Sequence, residues 1–191
     1  MLGQSTRYKM YLLLQAISEN EEIVEEQRQQ LAKQHGFEPW AAFKRIDRLG
    51  LGKISAYDIK QFLEDNMVDY IQEAECFHMF NFFDKDKDGF LDFTDFLTLV
   101  LPSNDVALRA KVSQRQNYSI GPGEKLQSNV EFELSRLFEK EIHYHVKVEI
   151  EKKQLETMED FNTVSVFSIL DALNYGYLDF EQIKNFIFKF K

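Results

Sequence analysis

Asp84-Lys85-Asp86-Lys87-Asp88-Gly89-Phe90-Leu91-Asp92-Phe93-Thr94-Asp95 sets carboxylates at positions 1, 3, 5, 9 and 12 of a twelve-residue run, with Gly89 at position 6 and Leu91 at position 8. Acidic side chains at alternate positions are oxygen donors for a hard divalent cation such as calcium, which takes six to eight oxygens at about 2.3–2.6 Å. So short a run wraps one ion only if alternate side chains point inward and the chain turns sharply midway; Gly89 permits that turn through positive φ. The ligands expected are the carboxylates of Asp84, Asp86, Asp88 and Asp95, the backbone carbonyl of Phe90, and Asp92 directly or through a water.

Such a loop needs a helix at each end to hold it. Phe80 and Phe83 precede it, and Phe96, Leu99 and Val100 follow, spacings that put apolar groups on one face of an entering and an exiting helix. An Asp-rich surface turn would leave Gly89, Leu91 and both flanks unexplained. The chain resembles the EF-hand superfamily, the helix–loop–helix calcium binders related to calmodulin and centrin, without matching one subfamily closely. The resemblance implies an all-α fold of paired hands joined by long helices, and calcium as the bound ion. It also implies a departure: Asp95 stands at position 12, where the family usually has a Glu that binds bidentately. The shorter side chain implies weaker calcium binding, or a site shifted toward magnesium, which accepts six ligands and fewer carboxylates.

Two further copies of the frame exist. The loop 47–58 keeps Asp47, Gly52, Ile54 and Asp58 at positions 1, 6, 8 and 12, but has Leu49 and Leu51 at positions 3 and 5. The loop 171–182 has Asp171 and Gly176, with Leu173 and Tyr175 at positions 3 and 5 and Gln182 at 12. Apolar flanks survive around both, so these hands are expected to fold without metal; the few oxygens left do not offset dehydrating a divalent ion. Loops 47–58 and 84–95 start 37 residues apart, the separation of two hands paired through a short antiparallel strand, with Ile54 and Leu91 in the ladder.

A longer repeat carries the same message. A gapless shift of 124 residues brings Asp47 onto Asp171, Leu13 onto Leu137, Phe37 onto Phe161, Phe43 onto Phe167 and Ile59 onto Ile183. The expected organisation is a long N-terminal helix (1–36), an EF-hand pair (37–104), a linker (105–129), a second long helix (130–160) and a degenerate hand (161–191). A partner for that last hand lies beyond the sequence, so either the chain is a fragment or the hand pairs with something outside it. Its aromatic face (Phe161, Phe167, Phe180, Phe186, Phe188, Phe190) is then expected to be exposed, which marks an interface and allows self-association.

The long segments 8–35 and 130–159 lack Pro and Gly and are rich in Glu, Gln and Leu. Tyr144–Ile150 alternates like a strand, but the repeat pairs it with a Glu/Gln-rich helical stretch, so helix is expected. These helices either lie along a filament or coiled coil, or pack beside their own lobe. The cluster Asn117-Tyr118-Ser119-Ile120-Gly121-Pro122-Gly123 reads as the linker and lacks the Gly-Lys-Ser/Thr ending of a phosphate loop.

A net charge of −9 argues against nucleic acid and anionic membrane as partners. The single cysteine, Cys76, implies a reducing compartment, and no 18-residue apolar span is present, so a cytoplasmic protein without membrane insertion is expected. His143 and His145 share a face only on a strand, which weakens a zinc reading. No nucleophile constellation or nucleotide loop is visible, so the expected role is binding, not catalysis. Two classes remain: a calcium-dependent regulator that opens to take a partner's amphipathic helix, and a constitutive, calcium-insensitive structural scaffold whose single loop holds magnesium or no metal. Five methionines argue for one dedicated partner over a promiscuous groove. Long helices with degenerate hands are similar to cytoskeletal and ciliary EF-hand proteins, the location this resemblance implies.

Overall fold

The computed structural model describes residues 2–116 and 119–190. Among these the chain is all-α: α1 (Gln4–Lys33), α2 (Pro39–Ile46), α3 (Ala56–Asp65), α4 (Glu73–Phe83), α5 (Phe93–Val100), α6 (Val106–Ser113), α7 (Ser128–Glu156), α8 (Thr163–Leu170) and α9 (Phe180–Phe188). The 124-residue shift carries α2 onto α8 residue for residue and the first residues of α1 and α3 onto those of α7 and α9.

The short helices start where a side chain satisfies the orphan N–H groups of the first turn. The Glu38 carboxylate accepts from the N–H groups of Trp40 and Ala41 (2.8 and 2.7 Å), with Pro39 opening α2. Ser55 with Asp58, Asp92 with Asp95 and Asp179 with Gln182 form reciprocal capping boxes at α3, α5 and α9.

The chain divides into two compact units. The larger, residues 21–146, holds two paired hands, α2–α3 and α4–α5. The N–H groups of Ile54 and Leu91 each donate to the other's carbonyl, at 2.9 and 2.8 Å, in an antiparallel bridge with both side chains fully buried. Phe43, Ile46, Ile59, Phe62, Phe80, Phe96 and Leu99 close the interior behind it. This unit also settles where its long helices lie. Leu134, Leu137, Phe138 and Ile142 of α7 are fully buried, as are Val24 and Leu31 from the later turns of α1. Phe138 meets Phe62 edge-on at 5.7 Å and Phe96 at 6.5 Å. Burying each such side chain is worth roughly 1.5–3 kcal/mol, so the lobe's apolar face is occupied by its own chain.

Charged groups fasten the helices. Arg45 is buried, its Nε 2.7 Å from Glu131 Oε1 and its Nη2 2.8 Å from Asp65 Oδ2. Arg28 pairs with Glu141 of α7 at 2.5 Å and donates to the Leu99 carbonyl at 3.1 Å. Pairs this deeply buried fix register, because losing one partner strands a buried charge.

The stretch 105–129, read above as a linker, is instead fastened to this unit. Asp105 caps α6 by accepting from Leu108 N–H at 2.8 Å, and Val112 is fully buried. The Arg115 guanidinium donates to the carbonyls of Gln34 and Phe37, both at 2.8 Å. Gly123 N–H reaches the Lys44 carbonyl at 2.8 Å, and the Lys44 ammonium donates to the Ile120 carbonyl at 2.6 Å. The Lys44 carbonyl that takes the Gly123 donor is one of those left open at the end of α2. Asn117 and Tyr118 of the expected linker lie outside the described residues.

The smaller unit comprises residues 2–20 with 147–190 and contains the third hand, α8–α9. Leu2, Met10 and Tyr11 from the start of α1 share a core with Leu155, Leu170 and Phe186, against which Phe161, Leu178 and Phe190 pack half-buried. Tyr11 stacks on Phe190 at 5.4 Å, and Asp160 accepts from Gly3 N–H and Thr6 Oγ1. The aromatic face expected to be bare is therefore divided: Phe186 is covered, while Phe180 and Phe188 stay 74 % and 57 % exposed.

Candidate metal centre

Asp84 ends α4 and opens the loop. Its Oδ1 accepts from Lys87 N–H at 2.7 Å and its Oδ2 from Gly89 N–H at 2.9 Å, so the carboxylate gathers the loop around itself. Gly89 takes φ +87° with open space where a Cβ would stand, so the backbone conformation and not crowding demands glycine. The bend brings together one carboxylate oxygen each of Asp84, Asp86 and Asp88, all within 4.8 Å of one another. Asp84 is buried, while Asp86 and Asp88 reach toward solvent. Asp88 Oδ1 accepts from Phe90 N–H at 2.8 Å, and the Phe90 carbonyl has no hydrogen-bond partner among the described residues. The Lys87 ammonium is turned away to the Asn81 carbonyl, and the Lys53 ammonium lies 3.8 Å over the Phe90 ring.

Asp92 and Asp95 hold the other end. Asp92 Oδ1 accepts from Asp95 N–H at 2.8 Å and caps α5, and Asp95 Oδ2 faces Asp92 N–H at 3.4 Å. Of the six residues predicted from the sequence, the structure thus groups Asp84, Asp86 and Asp88 and places Asp92 and Asp95 at the start of α5, with Phe90 between.

The electrostatics follow the geometry. Burial pushes the Asp84 carboxyl up, but the N–H groups of Gly89 and Lys87 outweigh it and hold the group below its ordinary value. Asp95 is pushed above its ordinary value by burial, and by the negative charges of Asp92, Asp84 and Asp86. With three carboxylate oxygens within 4.8 Å of one another and Asp95 under the same negative field, a divalent cation would relieve their repulsion. The donors are all hard oxygens, which fits calcium or magnesium and gives no hold to a metal that prefers imidazole or thiolate.

The other two loops close without such a cluster. Asp47 accepts from the N–H groups of Leu51 (2.9 Å) and Gly52 (2.7 Å), while Asp58 at position 12 is held by Ser55 N–H and Oγ at 2.8 and 2.5 Å. Leu49 and Leu51 project into solvent. In the third loop Asp171 accepts from Tyr175 and Gly176 N–H at 2.9 and 2.8 Å. Its Oδ1 also takes the buried Gln182 amide at 2.9 Å. Gln182, read above only as a lost ligand, bridges position 12 to position 1 with a neutral donor. The signal for it was present in the sequence as an amide in place of a carboxylate. The Arg45–Glu131 pair gave no comparable signal, because its partners are 86 residues apart.

A family profile for an EF-hand domain pair matches residues 40–101. Comparison with curated proteins and with solved structures found no match. No helix among the described residues is long and apolar enough to cross a membrane.

Proposed function

From the match of residues 40–101 to an EF-hand domain pair, we propose that the chain is an EF-hand protein, binding calcium at a single site and acting as a structural subunit. The convergence of Asp84, Asp86 and Asp88 in one loop carries this reading. Asp84, Asp86, Asp88 and Asp95 would supply side-chain oxygens, Phe90 its carbonyl, and Asp92 a direct or water-mediated contact. Calcium is the ion the family implies; magnesium, with its smaller demand for carboxylates, is the competitor.

The lobe does not wait with an empty groove. Phe138, Leu134 and Leu137 of α7 fill the apolar face a partner helix would need, which supports a closed lobe stabilised by its ion. The protein's contacts with a dedicated protein partner would then be made from surfaces outside the lobe's core. The resemblance to EF-hand proteins with long helices and degenerate hands supports a place in a cytoskeletal or ciliary assembly. A calcium-opened regulator is the second reading, favoured by one complete loop paired with an incomplete one.

Amide hydrogen exchange across α7, with calcium and with chelator, separates the two. A structural lobe keeps residues 134–142 protected in both conditions and gains protection mainly at 84–95. Calcium-induced exposure of 134–142 would overturn the structural reading in favour of the regulator.

A further inference from the structure

The third hand repeats the first but is not covered like it. Ile54, Ala56, Ile59 and Leu63 are fully buried, whereas their counterparts under the 124-residue shift are Leu178, Phe180, Ile183 and Ile187, of which three are half-buried and Phe180 is 74 % exposed. Phe43 is 1 % exposed and its counterpart Phe167 is 39 % exposed. What the first hand has, and the third lacks among the described residues, is a mate: Ile54 exchanges two backbone hydrogen bonds with Leu91. Neither backbone group of Leu178 has a hydrogen-bond partner among the described residues.

We propose that a second copy of this chain supplies the mate, the two third hands pairing about a twofold axis through an antiparallel bridge between Leu178 of each protomer. An antiparallel bridge is itself twofold symmetric, so one hand can serve both sides of the interface. The first lobe gives the pattern, with α3 packed on α4 and α2 on α5; by symmetry α9 of one protomer lies on α8 of its partner. An apolar groove of about 370 Å³, lined by Leu14, Ile17, Phe180, Ile183, Ile187 and Phe188, borders the same face and offers space for an aromatic side chain. Charge permits the contact. Residues 161–190 carry Asp171, Asp179 and Glu181 against Lys184 and Lys189, near neutrality, while the chain as a whole stands at −9. Two like copies therefore meet at this face with little repulsion.

The interface needs no ion, because the Gln182 amide already closes the loop on Asp171. It stands independently of the metal reading, and a failure of one leaves the other intact. The experiment is the solution mass of the full chain by sedimentation at tens of micromolar, with calcium and with chelator. The expected mass is that of two chains in both conditions. Phe180→Glu, at an exposed site, is expected to give one chain with unchanged helicity by circular dichroism. Leu178→Cys supplies a second readout that does not depend on weakening anything. Residues opposite each other in a hydrogen-bonded antiparallel pair have Cα atoms about 5.5 Å apart, inside the range a disulfide spans. The native thiol, Cys76, is buried. Mild oxidation is therefore expected to cross-link the Leu178→Cys chains into dimers. A monomeric wild-type chain would overturn the proposal and leave the face to a hand from another protein or segment. A dimer that survives Phe180→Glu and does not cross-link through position 178 would overturn it as well.

Discussion

Phe138 stands edge-on to Phe62, with ring centroids 5.7 Å apart and planes at 81°, across the face on which an EF-hand pair would take a partner helix. The residue comes from α7, 76 positions along the chain from Phe62. The lobe thus contains an amphipathic helix of its own, held in register by Glu131 on Arg45 and Glu141 on Arg28.

Phe138→Ala is expected to lower the unfolding free energy of the larger unit by about 3–5 kcal/mol, the usual cost of emptying a buried aromatic site. Urea unfolding followed by circular dichroism measures it. A loss below about 0.5 kcal/mol, the scale of an ordinary surface change, would mean that α7 does not close the lobe.

The leucines at positions 3 and 5 of the first loop project into solvent, so they can be changed without opening the core. Leu49→Asp with Leu51→Asp restores the carboxylate spacing of the loop 84–95 on a backbone that already has Asp47, Gly52 and Asp58 in place. Calcium stoichiometry is expected to rise from one to two. An unchanged stoichiometry would show that the missing ligands are not what silences this loop.

In the third loop, Gln182→Glu replaces the amide that donates to Asp171 with a second carboxylate at 2.9 Å. The like charges repel at a buried position. The smaller unit is expected to melt at lower temperature in chelator, and millimolar calcium is not expected to restore it fully, since positions 3 and 5 remain Leu173 and Tyr175. Unchanged melting would remove the role given to Gln182.

Acid lability is expected at Glu25. Burial raises its carboxyl, but the N–H groups of Ser103 and Asn104, with Gln29 and the Ser103 hydroxyl, outweigh it and hold the group below its ordinary value. A carboxyl depressed in the folded state stabilises it fully above the unfolded value, and that contribution is lost as pH falls through the folded value. Glu25→Gln should therefore be less stable than wild type at neutral pH and lose less stability on acidification below about pH 5. Parallel pH profiles for the two proteins would contradict this assignment.

Much of this was legible in local spacing. The loop 84–95 and its flanks depend on residues within a few turns of one another, and the 124-residue repeat carried even the limits of α8. The Ile54–Leu91 bridge followed from the interval between two loops. What spacing could not convey was which surface the long helices cover. Their apolar residues are sparse, and the decisive partners are distant: Arg45 with Glu131, Phe62 with Phe138, Arg28 with Glu141. The same holds for 105–129, where polar composition suggested a linker and one buried valine with a few backbone-directed donors fastens it down. Gln182 was visible but read as a loss, because the hydrogen bond that gives it a role depends on the closed loop.

The most direct test of the central claim is calorimetric titration of the full chain with calcium in the presence of physiological magnesium, repeated on Asp84→Ala. One saturable site is predicted for the wild type and none for the variant, with the fold retained in both. A second specific site that persists in Asp84→Ala would contradict the assignment of the single ion to residues 84–95.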